Sequence, residues 1–409
     1  MTRDPAQSII RTYYGIVGLQ TFSASLIWAV NTLFLLGAGL DIAQAFLVNA
    51  TATAAIVIFE IPTGVVADLR GRRASLVLSA LCLALSSLIY VLAADWGANL
   101  LLFHTGSLLL GLGTTFYSGA VEAWLVDALN AAGHTEPLSR VLARAEIFAG
   151  VTTLAGTVSG GFLASVNLSL PYIVRVVLLF LLLAVAGLRM HEKKTYSGGR
   201  DGTEVRDLAA FFASFWGRHQ RARALILVGF VQFIFLEWAF HAWQPYLLDL
   251  LGRDAPWVAG LVGALITVAT LFGNVIANWA GERRARAALW IATVMTGFGG
   301  TAVGAAENFS GSAFFLATAA LLTLSAAVGV SGPLKQARLH ALIPAEQRAT
   351  VLSLDSLVRN GGGVAGQGAL GFLARSQGIA LGYLVGGMAS LVALPLLRAS
   401  EREPGPVSD

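Results

Sequence analysis

Several ionisable side chains stand inside long apolar runs, where they are costly to keep and therefore mark chemistry. Glu237 lies near the middle of the run 222–250, and His241 follows one helical turn later on the same face. Glu122 falls in the run 98–129, Lys335 in 311–341, and Asp355 and Arg359 in 348–374. A carboxylate in an apolar setting is suited to loading and releasing a proton, because low dielectric favours its neutral form. A local reading stands beside this one. Glu237 and His241 can bond to each other and merely hold a helix in place, and Asp355 and Arg359 have the i, i+4 spacing of a self-contained pair.

The elements that must position these groups are membrane spans. The chain has 409 residues, of which 56% are hydrophobic and 12% charged. Its mean hydropathy is +0.72. A soluble fold of this size would carry about 25% charged residues, so the solvent is read as lipid. Apolar runs lie near 9–37, 42–68, 73–94, 98–129, 138–165 and 169–190, then near 222–250, 255–281, 285–306, 311–341, 348–374 and 378–398. They are too long for the strands of a membrane barrel, which alternate over roughly ten residues. The fold class expected is therefore an all-α integral membrane protein with twelve transmembrane helices. The polar N-terminus argues against a cleavable signal peptide. The single cysteine, Cys82, permits no disulfide framework.

Charge placement orients the chain. One set of loops carries Arg70, Arg72, Arg73, Lys193, Lys194, Arg200, Arg206, Arg218, Arg221, Arg223, Arg283, Arg284, Arg286, Arg348 and Arg402. The opposite loops carry little beyond Arg253 and Arg375. The positive-inside rule puts both termini in the cytoplasm of a multi-pass protein of the cell (inner) membrane. The net charge of only +4 is no nucleic-acid footprint. A polar stretch separates residues 1–190 from 222–409. Within this 191–221 linker, Leu208, Phe211, Phe212, Phe215 and Trp216 share one helical face, which predicts an amphipathic helix at the membrane interface.

The halves match weakly at an offset of about 210. Ser118-Gly119-Ala-Val-Glu122 aligns with Ser331-Gly332-Pro-Leu-Lys335, Gly161-Phe-Leu-Ala164 with Gly371-Phe-Leu-Ala374, Trp28-Ala29 with Trp238-Ala239, and Gly71 with Gly281. Two pseudo-symmetric six-helix bundles follow, and parallel halves of this kind imply alternating access by rocking.

Between the second and third runs the chain reads Gly64-Val-Val-Ala-Asp68-Leu-Arg70-Gly71-Arg72-Arg73. This resembles the signature loop of the major facilitator superfamily. Gly64 sits one turn before Asp68, where a small residue lets a neighbouring helix approach. The resemblance implies a cytoplasmic latch formed by Gly64, Asp68, Gly71, Arg72 and Arg73. The second copy departs from it at Asn278 and Glu282. Glu60-Ile-Pro62-Thr-Gly64 and Ser118-Gly-x-x-Glu122-Ala-x-x-x-Asp127 resemble a branch of bacterial drug or metabolite exporters. The second motif also resembles the molybdate-type anion transporters of the superfamily.

The resemblance further implies that spans one, four, seven and ten line a cavity. Glu237, Glu122 and Asp355 become the proton-coupling candidates. Gln20, Trp28, Asn31, Tyr117, Gln232, Trp238, His241, Trp243 and Lys335 are the cavity candidates, with Tyr14 beside them. Glu122 and Lys335, opposite in charge at equivalent repeat positions, suggest an ion pair between the halves. Asp127, Arg144, Glu146, Arg338 and Arg359 extend that cytoplasmic gate, and Arg140 flanks it. Arg175, near the external end of span six, is expected to snorkel outward.

No Gly-Lys-Ser/Thr phosphate loop, His/Cys cluster or nucleophile elbow is present, so no ATP, metal or other cofactor is expected and the chain is not read as an enzyme. The expected partners are a small-molecule substrate, protons and the lipid bilayer, with no nucleic acid, and the expected state is a monomer. The favoured expectation is proton-coupled export of a small amphipathic or cationic molecule. The alternatives are uptake or exchange of a small anion such as molybdate, a lipid flippase, and a non-transporting receptor.

Overall fold

A computed structural model describes residues 5–192, 214–344 and 347–401, the side chains of Glu282 and Ala349 excepted. The predicted amphipathic helix lies largely outside these residues, except for Phe215 and Trp216. The described chain is helical, with no strand. The first helices are α1 (Pro5–Trp28), α2 (Asn31–Gly37), α3 (Ile42–Arg70), α4 (Arg72–Asp95), α5 (Leu100–Tyr117), α6 (Ala120–Ala131), α7 (Leu138–Val166) and α8 (Leu170–Arg189). Then come α9 (Gln220–Leu251), α10 (Pro256–Ala305), α11 (Ala313–Ala341), α12 (Arg348–Gln377), α13 (Ile379–Ser390) and α14 (Ala393–Ala399).

Local chemistry sets their ends. Asp41 caps α3 by accepting from the Gln44 backbone N–H, while the Gln44 side chain accepts from Asp41 N–H. Gly281 breaks α10 with non-helical backbone (φ 57°), so that helix is two spans. Among the described residues, ten segments are long and apolar enough to cross a bilayer, and α1 with α2, bent by 48°, makes an eleventh. The twelfth run is α12. It is 30 residues long, but Arg348, Asp355, Arg359 and Arg375 leave it too polar to qualify on hydropathy alone.

Contacts divide the chain into two units. The first contains residues 1–200 with 254–264, and the second contains 201–253 with 265–409. In the first unit, Ile16, Leu76, Leu83, Leu125, Leu179 and Leu182 form one buried core. In the second, Leu225, Ile226, Leu289, Leu339, Val351 and Leu397 do the same. Leu101, Val166, Leu188, Trp279 and Phe315 are more than two-thirds exposed, as side chains facing lipid are.

Each unit contains the same seam. In the first, α7 lies against α1, and a Cβ at Gly156 or Gly160 would collide with the backbone carbonyls of Phe22 and Leu26. In the second, α12 lies against α9, and a Cβ at Gly362 or Gly366 would collide with those of Phe230 and Ile234. Such seams let helix backbones touch, the packing that lipid leaves as the main source of association. The seam corrects the repeat. The contact partners of Gly160 and Gly366 are equivalent, whereas the sequence match of Gly161 with Gly371 runs about one turn out of register. In Gly361-Gly362-Gly363 the second and third glycines are close-packed, whereas a Cβ at Gly361 would meet nothing within 4 Å.

Candidate functional site

The fourth run is broken. Between α5 and α6, Gly119 takes a left-handed conformation (φ 71°), which an L side chain rarely adopts. The break starts a new helix at Ala120 and sets Glu122 in its first turn, where the helix dipole favours a carboxylate. A cavity of about 200 Å³ opens there, lined by Tyr13, Thr21, Tyr117, Glu122, Glu146 and neighbouring small residues. Both carboxylates lie within electrostatic reach of both phenols. Tyr117, Glu122 and Glu146 are thus brought together. Glu146, read from sequence as part of a gate, belongs to the cavity wall. Tyr13 and Thr21 were missed, although Tyr13 stands beside the noted Tyr14, whose own hydroxyl donates to the Val141 carbonyl. Gln20, Trp28 and Asn31 do not line this cavity. Asn31 is committed elsewhere: it donates to Asn49 Oδ1 (2.9 Å) and accepts from Tyr172 (2.7 Å).

In the second unit, Lys335 is gripped by Asp355. Its Nζ lies 2.9 Å and 3.2 Å from the two carboxylate oxygens, and both side chains are nearly buried. Gly229 makes room on α9, because a Cβ there would collide with Lys335 Nζ. Asp355 therefore pairs with Lys335 and not, as the i, i+4 spacing suggested, with Arg359. Arg359 instead stacks over the Phe233 ring, 4.8 Å from its centroid.

Glu237 and His241 share a helix face but do not pair through their side chains. His241 Nδ1 meets the Glu237 backbone carbonyl at 2.8 Å, the group that a side chain one turn later reaches most easily. The Glu237 carboxylate accepts from Gln367 on α12 at 3.4 Å. Trp238 and Trp243 are fully buried. Trp238 packs edge-on against Tyr383, whose hydroxyl donates to the Ala239 carbonyl. Gln232 is buried too.

The loop motif forms contacts within the first unit. Asp68 pairs with Arg72 at 2.7 Å across the turn at Gly71 (φ 94°). A Cβ at Gly64 would meet nothing within 4 Å, so the close approach expected there is absent among the described residues. Asp127, Arg140 and Arg144 are exposed.

Two residues that sequence reasoning passed over complete the picture. Glu192, just beyond α8, accepts from the backbone N–H groups of Arg72 (2.8 Å) and Arg73 (3.3 Å) at the start of α4. Arg73 also donates to the Gly187 carbonyl. Glu401, just beyond α14, accepts from Arg286 (2.7 Å), Arg338 (3.1 Å) and Trp290 (3.0 Å). Burial alone would raise the Glu401 pKa, but the donors Trp290, Arg286 and Arg338 outweigh it and hold the carboxyl below its ordinary value. Arg338, read as a gate residue, is spoken for by this cluster. The repeat offset was the signal that would have linked Glu192 with Glu401.

Known proteins fit this architecture. The family model described as Major Facilitator Superfamily matches residues 14–367. No curated protein sequence matches the chain. Among solved structures, the nucleoside transporter NupG aligns with a TM-score of 0.77 at 12% identity, covering 98% of this chain and 100% of its own. A bacterial homologue of the iron transporter ferroportin, in its inward-facing state, gives 0.77 at 14%, covering 96% and 99%. The D-xylose-proton symporter gives 0.68 at 16%, covering 96% of each chain. At such identities the likeness is one of fold, and it is a fold found in membrane transporters. The chain is a multi-pass membrane protein that belongs to the Major Facilitator Superfamily.

Proposed function

We propose that this protein is a proton-coupled exporter of a small amphipathic or cationic molecule, working by alternating access in the cell (inner) membrane with both termini cytoplasmic. The observation that carries the reading is the cavity where Glu122 and Glu146 face Tyr13 and Tyr117. Carboxylates and aromatic faces together suit an organic cation, by charge and by cation–π attraction. A carboxylate that meets both substrate and proton can exchange one for the other. Glu122 is the first candidate carrier. Glu237, which accepts a hydrogen bond from Gln367 at 3.4 Å, is the second. The grip of Asp355 on Lys335 speaks against Lys335 as a free ligand for an anion. The resemblance of the Glu60-Ile-Pro62 and Ser118-Gly119 motifs to exporters supports the same direction. The partners in this reading are the substrate, protons and lipid, and the working unit is a monomer.

The test is substrate-induced proton movement in proteoliposomes across a panel of cationic compounds and oxyanions, with Glu122→Gln and Glu237→Gln beside the wild type. Proton flux with a cationic compound, abolished by Glu122→Gln, is expected. Flux with molybdate that both variants leave intact would transfer the assignment to anion transport.

A further inference from the structure

Arg175 stands on α8, three residues after Tyr172, inside the first unit. It does not snorkel. It is only 3% exposed, and its Nε has no hydrogen-bond partner. The titratable groups acting on it are the phenols of Tyr172 and Tyr90, with no carboxylate among them. No Asp or Glu among the described residues is recorded within ion-pair distance of it.

The surrounding groups form a polar shell with no acid. The Tyr172 hydroxyl donates to Asn31, which donates to Asn49. The Tyr90 hydroxyl meets Ser107 Oγ at 2.6 Å. Asn49 Nδ2 is buried and, like Arg175 Nε, lacks a partner. Tyr90 and Tyr172 stack at 5.6 Å, and Phe34 packs on Tyr172 at 4.3 Å, which closes the region with rings. A guanidinium removed from water without a counter-charge costs several kcal/mol. A negative charge would offset that cost, and the side chains beside Arg175 supply none.

Tyr172 is 1% exposed, Tyr90 2% and Ser107 0%, so the surroundings favour a small occupant. We propose that Arg175 holds a small inorganic anion of halide size inside the first six-helix unit. The anion neutralises the guanidinium on α8, the helix that the Tyr172–Asn31–Asn49 chain joins to α2 and α3. It is a resident ion, separate from the substrate cavity at Glu122, and it does not depend on the transport reading.

The test uses the purified full-length protein in detergent. Thermal unfolding is followed in sodium chloride, sodium bromide and sodium gluconate at equal ionic strength, for the wild type, Arg175→Gln and Arg175→Lys. The wild type is expected to melt at least about 3 °C higher in either halide than in gluconate, as a ligand that binds only the folded state requires. Arg175→Gln should lose this difference, and Arg175→Lys should keep part of it. Equal melting of the wild type in all three salts would overturn the proposal, as would a halide effect that Arg175→Gln leaves untouched. Should Arg175→Gln fail to fold, bromide anomalous scattering from wild-type crystals decides. A peak beside Arg175 supports the site, and none refutes it.

Discussion

Glu192 and Glu401 occupy corresponding places about 210 residues apart, each just past the last helix of its six-helix half, and each holds the helix that follows its unit's second span. Their chemistry differs. Glu192 is exposed and accepts two backbone N–H groups at the first turn of α4, so it acts as a helix cap supplied from a distance. Glu401 is only 10% exposed and accepts from two arginines and an indole, so it acts as the hub of a side-chain network. The same contrast recurs at the fourth and tenth runs. Glu122 faces an open cavity, whereas Lys335 is closed in by Asp355. One duplicated frame thus hosts an adaptable half and a tied-down half, and the difference lies in which partner each charge finds.

That contrast can be broken by substitution. Lys335→Met strands Asp355 in a nearly dry site and should cost about 3–5 kcal/mol. Glu122→Gln should leave unfolding within about 0.5 kcal/mol. Chemical denaturation in detergent compares the two, and equal losses would erase the distinction. Next in size, Gly160→Ala and Gly366→Ala test what the halves share. Each forces a methyl onto a backbone carbonyl and should cost about 1–3 kcal/mol, to a similar extent in both units. Unequal losses would show that the seam is not one element used twice.

Glu401→Gln should cost about 1.5–3 kcal/mol through weakened hydrogen bonds to charged donors. Because the folded pKa of Glu401 is depressed, its contribution is present above the unfolded value, near 4.5, and disappears as pH falls through the lower folded value. An acid titration of thermal stability should show that loss in the wild type and a flatter profile in Glu401→Gln. A smaller effect than at Glu401 is expected from Glu192→Gln, a fraction of the about 1 kcal/mol typical of a helix cap. A larger loss there than at Glu401 would reverse the assignment of the tied-down half.

The sequence made the spans legible because each reads as a long apolar run, and the run 348–374 was counted among them although its helix, α12, falls short on hydropathy. Individual partners were less legible. Periodicity put His241 on the face of Glu237, but a backbone carbonyl lies nearer than the carboxylate. Spacing paired Asp355 with Arg359, yet Lys335, 20 residues away in sequence, reaches it first. Arg175 near a span end suggested an outward reach, while the side chain turned into the bundle. Glu192 and Glu401 were passed over, since nothing local announces a partner more than a hundred residues upstream. Glu122 was found because a carboxylate inside a long apolar run is a local signal, and Tyr117 because it stands on the same run.

The polarity of α12 bears on how the protein is made. A segment carrying Arg348, Asp355 and Arg359 gains little by partitioning into lipid alone. Its glycine face, however, fits the backbone of α9, and Asp355 finds Lys335 on α11. Both partners are synthesised earlier. Entry of this helix into the bilayer is then a folding event and not a hydropathy event: it waits for a template already in place, and defects at Gly366 or Lys335 would surface during biogenesis as a chain with one helix left outside.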